Sequence, residues 1–141
     1  MTRFARWLSA SALALLATIV LLPQPAAAAQ MPCGKDCAVI YRDAICWEKD
    51  WCTVPFDVKG TVPRGGFTVA FRTADGTALA PADYRPLRDG VLPVYKEATY
   101  HLLVFVEGDS ELEGEEAFLI EYLDREGRIQ ATAKVTVRDA S

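Results

Sequence analysis

Apolar and polar side chains alternate along most of the chain beyond its first quarter. Residues 53–59 place Val54, Phe56 and Val58 on one face, and residues 131–138 show the same alternation with alanine and valine. Five similar runs cover residues 38–41, 44–47, 67–72, 102–106 and 117–123. Turn-forming residues separate these runs, and no stretch has the 3.6-residue period of a helix. The pattern predicts an all-β protein, an antiparallel β-sandwich of about seven strands.

One of these runs, residues 102–106, is apolar on both faces. Only one face of a strand enters the core of a sandwich, so Leu103 and Phe105 are expected to point outward. They then form an exposed surface for a protein partner, or the N-terminal segment folds over them, and the sequence leaves both options open. Trp47 and Trp51 are further candidates for a partner surface.

The beginning of the chain has the layout of a secretory signal peptide. Arg3 and Arg6 precede a mostly apolar run over residues 7–22, and a string of alanines ends at Ala29. The run is shorter than the ~20 residues of a membrane-spanning helix. We expect cleavage between Ala29 and Gln30, which predicts a secreted or periplasmic protein with no membrane span after cleavage.

Charge and length narrow the choice of function. Removing residues 1–29 leaves 112 residues with 13 basic and 19 acidic side chains, a net charge of −6. An acidic domain without a basic stripe argues against nucleic acid as a partner. The chain has a single histidine, His101, and neither a G-x-S-x-G nor an H-E-x-x-H motif, so we expect no enzyme activity. The predicted organisation is a signal peptide (1–29), a cysteine-containing segment (30–37) and one domain (38–141).

The four cysteines lie near the start of the predicted mature chain. An even count behind a signal peptide indicates disulfides formed in an oxidising compartment. Of the three possible pairings we favour Cys46–Cys52, since the two residues lie symmetrically about Lys49 in a predicted turn. That pairing leaves Cys33–Cys37. A zinc site made by all four cysteines is the alternative, but C-x3-C and C-x5-C differ from the C-x2-C spacing of zinc ribbons.

A dense acidic stretch lies between the predicted strands at residues 102–106 and 117–123 and extends to the start of the second. Its carboxylates are Glu107, Asp109, Glu111, Glu113, Glu115 and Glu116. A solvated charge run that keeps an edge soluble is one interpretation. The other is a site for a hard divalent cation, because Ca²⁺ binds six to eight oxygen atoms and relieves the repulsion between carboxylates. The spacing is not that of an EF-hand.

Several motifs occur in the order found in one known family. Residues 73–78 (T-A-D-G-T-A) and 82–84 (A-D-Y) match T-x-D-G-T-A…x-D-Y. Residues 109–118 follow D-x-x-x-E-x-x-E-x-F, and residues 135–139 follow V-T-I-x-D with valine in place of isoleucine. Together they resemble the Calx-beta domain family, the calcium-binding modules of sodium/calcium exchangers and bacterial surface proteins. Residues 40–50 resemble the opening strand of that family only loosely.

The resemblance implies an immunoglobulin-like sandwich with a Ca²⁺ site at one end. Carried over by position, the implied ligands are Glu48, Asp83, Asp109, Glu113, Glu116 and Asp139. Where the strong binders of the family have further acidic residues, this chain has Gly108 before Asp109, and Ala140 and Ser141 after Asp139. Affinity follows the number of charged ligands, so we expect at most one site with a Kd of ~10⁻⁴–10⁻³ M.

The predicted function is therefore a secreted or periplasmic, non-catalytic, Calx-beta-like binding module. We expect weak stiffening by Ca²⁺ and a protein or cell-surface partner, as in adhesion. The alternative is a metal-independent, disulfide-stapled sandwich that binds a protein or a glycan, such as an inhibitor or an envelope factor. A Cys46–Cys52 bridge would close the loop that carries Glu48, which either fixes a ligand or only staples an edge strand.

Overall fold

The structure is a computed structural model that describes residues 33–109 and 112–140. The predicted signal peptide (1–29) and the start of the predicted N-terminal segment (30–32) lie outside the described residues. All regular secondary structure in the described part is β-strand. Within that part, no helix has the length and apolar character needed to cross a membrane.

Eight strands form two sheets. They are β1 (Cys37–Tyr41), β2 (Ala44–Trp47), β3 (Trp51–Gly60), β4 (Phe67–Ala74), β5 (Gly90–Val94), β6 (Ala98–Phe105), β7 (Glu116–Leu123) and β8 (Ile129–Arg138). One sheet has the order β1-β3-β6 and the other has the order β2-β8-β7-β4-β5. All paired strands are antiparallel except β2 and β8, which are parallel. The predicted all-β sandwich is confirmed.

The chain crosses from one sheet to the other near the start of the domain. β1 pairs with β3, whereas β2 pairs with β8 in the other sheet. Arg42, at the crossing, donates from Nε to Asp57 Oδ2 at 2.8 Å, and the Thr99 hydroxyl donates to Asp57 Oδ1 at 2.7 Å. The carboxylate of Asp43 accepts from the backbone N–H of Lys134 at 2.7 Å. The two short apolar runs on either side of the crossing are therefore separate strands, one in each sheet.

The core lies between the sheets, and the predicted inward faces of the strands form it. Phe56 on β3 meets Tyr122 on β7 edge to face, with ring centroids 6.1 Å apart. Burying a large apolar side chain contributes about 1.5–3 kcal/mol to stability. The buried inward residues of the predicted runs are Val54, Phe56, Val58, Val69, Phe71, Leu102, Val104, Val106, Phe118, Ile120, Tyr122, Ala133, Val135 and Val137. Phe67, also predicted to face inward, is only half-buried.

Two strands differ from the sequence pattern. β5 contains Pro93 and is not predicted as a strand, because proline cannot donate a hydrogen bond to a ladder. It lies at the edge of the five-stranded sheet, where the missing donor is tolerated. β6 begins at Ala98, ahead of the apolar run over residues 102–106. Its first half was not part of the predicted run because it includes the polar residues Thr99 and His101, which face outward.

The cysteines form two disulfides. Cys33 bonds to Cys37 and Cys46 bonds to Cys52, with Cα–Cα distances of 5.5 Å and 5.3 Å. The favoured pairing is confirmed, and the zinc alternative is wrong because every thiol is used in a disulfide. The second bridge joins the end of β2 to the start of β3. It therefore links the two sheets rather than two strands of one hairpin.

The strand directions give the sandwich two ends. The β2–β3 turn, the start of the β4–β5 connection, the β6–β7 connection and the residues after β8 lie at one end. We call it the carboxylate end, since it carries Glu48 and Asp139. The β3–β4, β5–β6 and β7–β8 connections lie at the other, with the loop before β1. We call it the cleft end, and it carries Lys35 and Tyr95.

Candidate metal centre

The segment after β4, which carries the T-A-D-G-T-A and A-D-Y motifs, is held by its own polar side chains. Asp75 Oδ1 accepts from the Tyr84 hydroxyl at 2.5 Å and from the backbone N–H of Ala80 at 2.9 Å. The Thr77 hydroxyl accepts from a backbone N–H of β7 at 2.8 Å. Tyr84 is buried, and its ring stacks on Phe118 with centroids 4.1 Å apart. Most of this motif therefore anchors the connection to the core.

Asp75 serves as a hydrogen-bond acceptor in this arrangement. The hydrogen bond from the Tyr84 hydroxyl, with a second from the Ala80 backbone, holds the pKa of Asp75 below its usual value. Burial, together with the neighbouring Asp75 carboxylate, raises the pKa of Tyr84. The two shifts have opposite directions because the bond pairs an ionised acid with a neutral phenol. Asp75 therefore keeps its charge while it fixes the connection.

Three carboxylates from separate segments meet at the carboxylate end. Asp83 lies in the β4–β5 connection, Glu113 lies in the β6–β7 connection, and Glu116 is the first residue of β7. One oxygen from each side chain lies within 4.8 Å of the other two. Two oxygens on opposite sides of a Ca²⁺ ion lie about 4.6–5.2 Å apart, since each Ca–O distance is about 2.3–2.6 Å. The three residues therefore fit the donor type and the spacing that Ca²⁺ requires.

The other implied ligands surround this group. Burial raises the pKa of Glu48, and the negative charges of Asp139 and Asp109 raise it further. Asp139 Oδ2 accepts from the backbone N–H of Gly114 at 3.2 Å, which ties the end of β8 to the β6–β7 connection. A Cβ atom at Gly108 would lie 2.9 Å from the Cβ of Glu48. Glycine at this position lets the connection approach the β2–β3 turn.

The pKa of Glu116 responds to most of the other implied ligands. Burial raises its pKa first, and the charges of Asp83, Glu113, Glu48 and Asp139 raise it further. All six implied ligands thus come to one end of the sandwich. Among the residues that the structure describes, only Asp83, Glu113 and Glu116 form a group of three or more close enough to share one ion.

The remaining carboxylates of the acidic stretch have other roles. Glu107 pairs with Arg85 at 2.6 Å, and Glu115 pairs with Arg138 at 3.2 Å. Glu111 lies outside the described residues. The stretch is therefore not a uniform solvated face, because its members divide between surface ion pairs and the acidic cluster.

The predicted partner residues lie on two surfaces. Trp51 and Phe105 pair across β3 and β6 with ring centroids 5.3 Å apart, and the guanidinium of Arg85 lies 4.5 Å above the Phe105 ring. Leu103, on the same outer face, is 55% exposed. Trp47 is also exposed, but it belongs to β2 in the five-stranded sheet. Trp47 and Trp51 flank the same turn and yet lie on different sheets.

The N-terminal segment does not cover this surface in its described part. Gly34 and Lys35 line a cleft at the opposite end of the sandwich, and Leu103 stays exposed. Phe105 is half-buried because Trp51 and Arg85 contact it instead. No periodicity in the sequence identifies Arg85 as this neighbour, since its position depends on how the β4–β5 connection meets β6.

The fold is shared with solved Calx structures. The apo-form Calx CBD1 domain has a TM-score of 0.59 at 20% identity, and the match covers 76% of this chain and 100% of that one. Calcium binding domain CBD12 of CALX1.1 has a TM-score of 0.54 at 22% identity, covering 72% and 44%. The Calx CBD2 domain has a TM-score of 0.51 at 17% identity, covering 73% and 86%.

Sequence comparisons add nothing to this likeness. A scan against models of known protein families gives no match, and a search of curated proteins gives none either. At identities of 17–22%, the structural likeness concerns the backbone arrangement alone. On that ground, the protein has a Calx-beta-like fold.

Proposed function

We propose that this protein is a non-catalytic binding module that holds one Ca²⁺ ion at its carboxylate end. The observation that carries the proposal is the convergence of Asp83, Glu113 and Glu116, whose oxygens lie within 4.8 Å of one another. One of the structures with a similar fold is described as a calcium binding domain. Glu48, Asp109 and Asp139 are the further ligands in this proposal.

Repulsion between the carboxylates supports a cation at this position. The pKa values of Glu48 and Glu116 are both raised, by burial first and then by the surrounding negative charges. A bound divalent cation would offset this repulsion, and oxygen donors favour Ca²⁺ over softer metals. Glu113 is exposed while Asp83 and Glu116 are half-buried, so the ion would lie near the surface and bind weakly.

The proposed location is outside the cytoplasm, either secreted or periplasmic. Two disulfides in so small a domain are typical of proteins from an oxidising compartment. The predicted signal peptide supports the same location. We also propose a protein or cell-surface partner, supported by the exposed side chains of Trp51 and Leu103 on one sheet face and of Trp47 on the other.

Thermal unfolding of the mature protein tests the calcium proposal. A ligand at ten times its Kd adds about 1.4 kcal/mol to the free energy of unfolding. For a domain of this size that corresponds to a rise in Tm of roughly 5–10 °C. We expect this rise in ~10 mM CaCl2 relative to EDTA, given the weak Kd proposed, and a smaller rise in MgCl2.

A matched pair of variants makes the test specific. Glu113→Gln should abolish the calcium-dependent rise, because it removes one of the three close carboxylates. Glu115→Gln makes the same change in charge two residues away, but it removes the ion pair with Arg138 instead. The calcium response of this control should survive. A wild-type protein with equal Tm in EDTA and CaCl2, or equal losses in both variants, would contradict the proposal.

A further inference from the structure

A second concave surface lies at the cleft end, far from the acidic cluster. It encloses about 780 Å³ between the loop before β1, the β3–β4 connection, the end of β5 and the β7–β8 hairpin. Ligand sites for small molecules and short oligomers have volumes of about 300–1,000 Å³. The acidic cluster does not extend into this cleft, and the proposed calcium function leaves it without a role.

Lys35 stands on one wall, in a loop that is fixed at several points. The Cys33–Cys37 disulfide closes the loop, and the Asp36 carbonyl accepts from the backbone N–H of Thr61 at 2.9 Å. Lys35 makes no ion pair within the described part of the chain. The loop therefore holds, at the edge of the cleft, an ammonium group that has no ion-pair partner among the described residues.

Arg125 stands on another wall, in the β7–β8 hairpin. Asp124 Oδ1 accepts from the backbone N–H groups of Glu126 and Arg128 at 2.9 Å and 2.8 Å. Arg128 pairs with Asp124 at 2.8 Å and with Glu126 at 3.2 Å, so both acidic side chains of the cleft lining already have a cationic partner. Arg125 makes no ion pair among the described residues. Its guanidinium is left available for a ligand.

Tyr95 provides an exposed aromatic face between these walls. The residue is 70% exposed, and a Cβ atom at Gly66 would lie 2.7 Å from its ring carbon Cδ1. Glycine at position 66 therefore lets the ring rest against the β3–β4 turn, which a hydrogen bond from the Gly66 N–H to the Pro63 carbonyl closes at 2.9 Å. Thr68 and Gln130 add polar groups to the lining.

We infer that this cleft binds an acidic oligosaccharide, a glycan whose sugar rings carry carboxylate groups. One face of a sugar ring is apolar and suits the exposed face of Tyr95. A sugar carboxylate suits the free cations of Lys35 and Arg125. Sugar hydroxyls suit the polar side chains of Thr68 and Gln130. Because the backbone of each loop is fixed by its own bonds, the ordering required on binding is mainly that of the Lys35 and Arg125 side chains.

The ion pairs of the cleft also favour an anionic ligand. Its lining carries two carboxylates, Asp124 and Glu126, which are both paired with Arg128, and two cations, Lys35 and Arg125, which have no ion-pair partner among the described residues. A ligand carboxylate can therefore pair with either cation without displacing an existing ion pair. This inference does not depend on Ca²⁺, because the carboxylate end contributes no residue to the cleft.

Titration with a hexamer of galacturonic acid tests the inference. The experiment is done in EDTA, so that the calcium site and chelation by the glycan play no part. We expect saturable binding by calorimetry, with amide chemical-shift changes confined to the cleft end and weakening at high salt. Maltohexaose has the same length without carboxylates and should bind at least about tenfold more weakly.

Three variants locate the site. Arg125→Gln and Tyr95→Ala should each weaken binding of the acidic hexamer by about tenfold. Arg88→Gln removes an exposed cation that lies away from the cleft, and its affinity should match that of the wild type. The proposal is overturned by absence of saturable binding, by equal affinity for maltohexaose, or by equal losses in Arg125→Gln and Arg88→Gln.

Discussion

The two ends of the sandwich differ in how their acidic side chains are arranged: they are clustered at one end and paired with an arginine at the other. At the carboxylate end, Glu48, Asp83, Glu116 and Asp139 come from separate segments, and the pKa of Glu116 is raised by burial and then by the charges of the surrounding carboxylates. At the cleft end, Asp124 and Glu126 both pair with Arg128 inside one hairpin. Like charges thus accumulate where distant segments meet and are paired where a short loop closes on itself. The acidic cluster is therefore a product of tertiary assembly in this fold.

The ends also differ in how they are attached to the core. The carboxylate end is anchored by the buried stack of Tyr84 on Phe118 and by a disulfide between the two sheets. The cleft end is built from small loops that are fixed individually, and its aromatic residue, Tyr95, is largely exposed. Truncating Phe118 at the first end should therefore affect global stability, whereas truncating Tyr95 at the second should affect binding alone.

The largest expected effect compares one aromatic residue from each end. Phe118→Ala should lower the free energy of unfolding by about 3–5 kcal/mol, because it leaves a cavity beneath Tyr84. Tyr95→Ala should change it by less than about 0.5 kcal/mol, since the ring is mostly exposed. Urea denaturation followed by tryptophan fluorescence measures both. Equal losses would show that the two ends are attached to the core in the same way.

The disulfides give the next largest effect. In the chain-entropy model, removing either short loop closure should cost about 2 kcal/mol, so the pairs Cys33→Ala/Cys37→Ala and Cys46→Ala/Cys52→Ala should unfold at similarly reduced temperatures. Their calcium responses should differ. Only the second pair frees the turn that carries Glu48, so only that pair should lose part of the calcium-dependent rise in Tm. The same calcium response in both pairs would show that the Cys46–Cys52 disulfide does not contribute to calcium binding.

The smallest effect is a difference in pH dependence. Glu48 and Glu116 have pKa values above the usual 4.5, so their ionisation opposes folding. In EDTA, stability should therefore rise as the pH falls from 7 towards 5, by less than about 1 kcal/mol. Asp57 behaves oppositely: hydrogen bonds from Thr99 and Arg42 lower its pKa below 3.8, so its contribution is present above that value and is lost in stronger acid.

The double variant Glu48→Gln/Glu116→Gln checks the origin of this pH dependence. Its stability in EDTA should stay nearly constant between pH 7 and pH 5, because the two groups that oppose folding no longer ionise. In CaCl2, the wild-type protein should instead lose stability over the same range, since protons compete with the cation for the carboxylates. An unchanged profile in the variant would assign the effect to other groups.

Much of the fold followed from local pattern. The alternation of apolar residues predicted the inward faces of β3, β4, β6, β7 and β8, because burial of one strand face is a period-two requirement. The symmetry of Cys46 and Cys52 about Lys49 predicted their disulfide. β5 was not predictable in this way, since Pro93 breaks the pattern. Nor was the crossing between sheets, where Arg42 pairs with Asp57 fifteen residues away.

The candidate site was predictable only as a set of residues. Motif resemblance placed Glu48, Asp83 and Asp139 in one group with the acidic stretch, and the structure brings those segments to one end. The resemblance also selected Glu116 and left out Glu115, and in the structure Glu116 joins the cluster whereas Glu115 pairs with Arg138. That division depends on strand direction and on the position of an arginine from another segment.

By itself, the sequence determined the fold class and the core faces, because these depend on side-chain period, and it favoured the observed disulfide pairing, because that pairing closes short loops. Only the tertiary structure decided which three carboxylates approach within reach of one ion, and that the free cations Lys35 and Arg125 share a cleft with Tyr95. Those distances depend on contacts between residues far apart in the chain. Such contacts are set by the packing of the two sheets and leave no local pattern in the sequence.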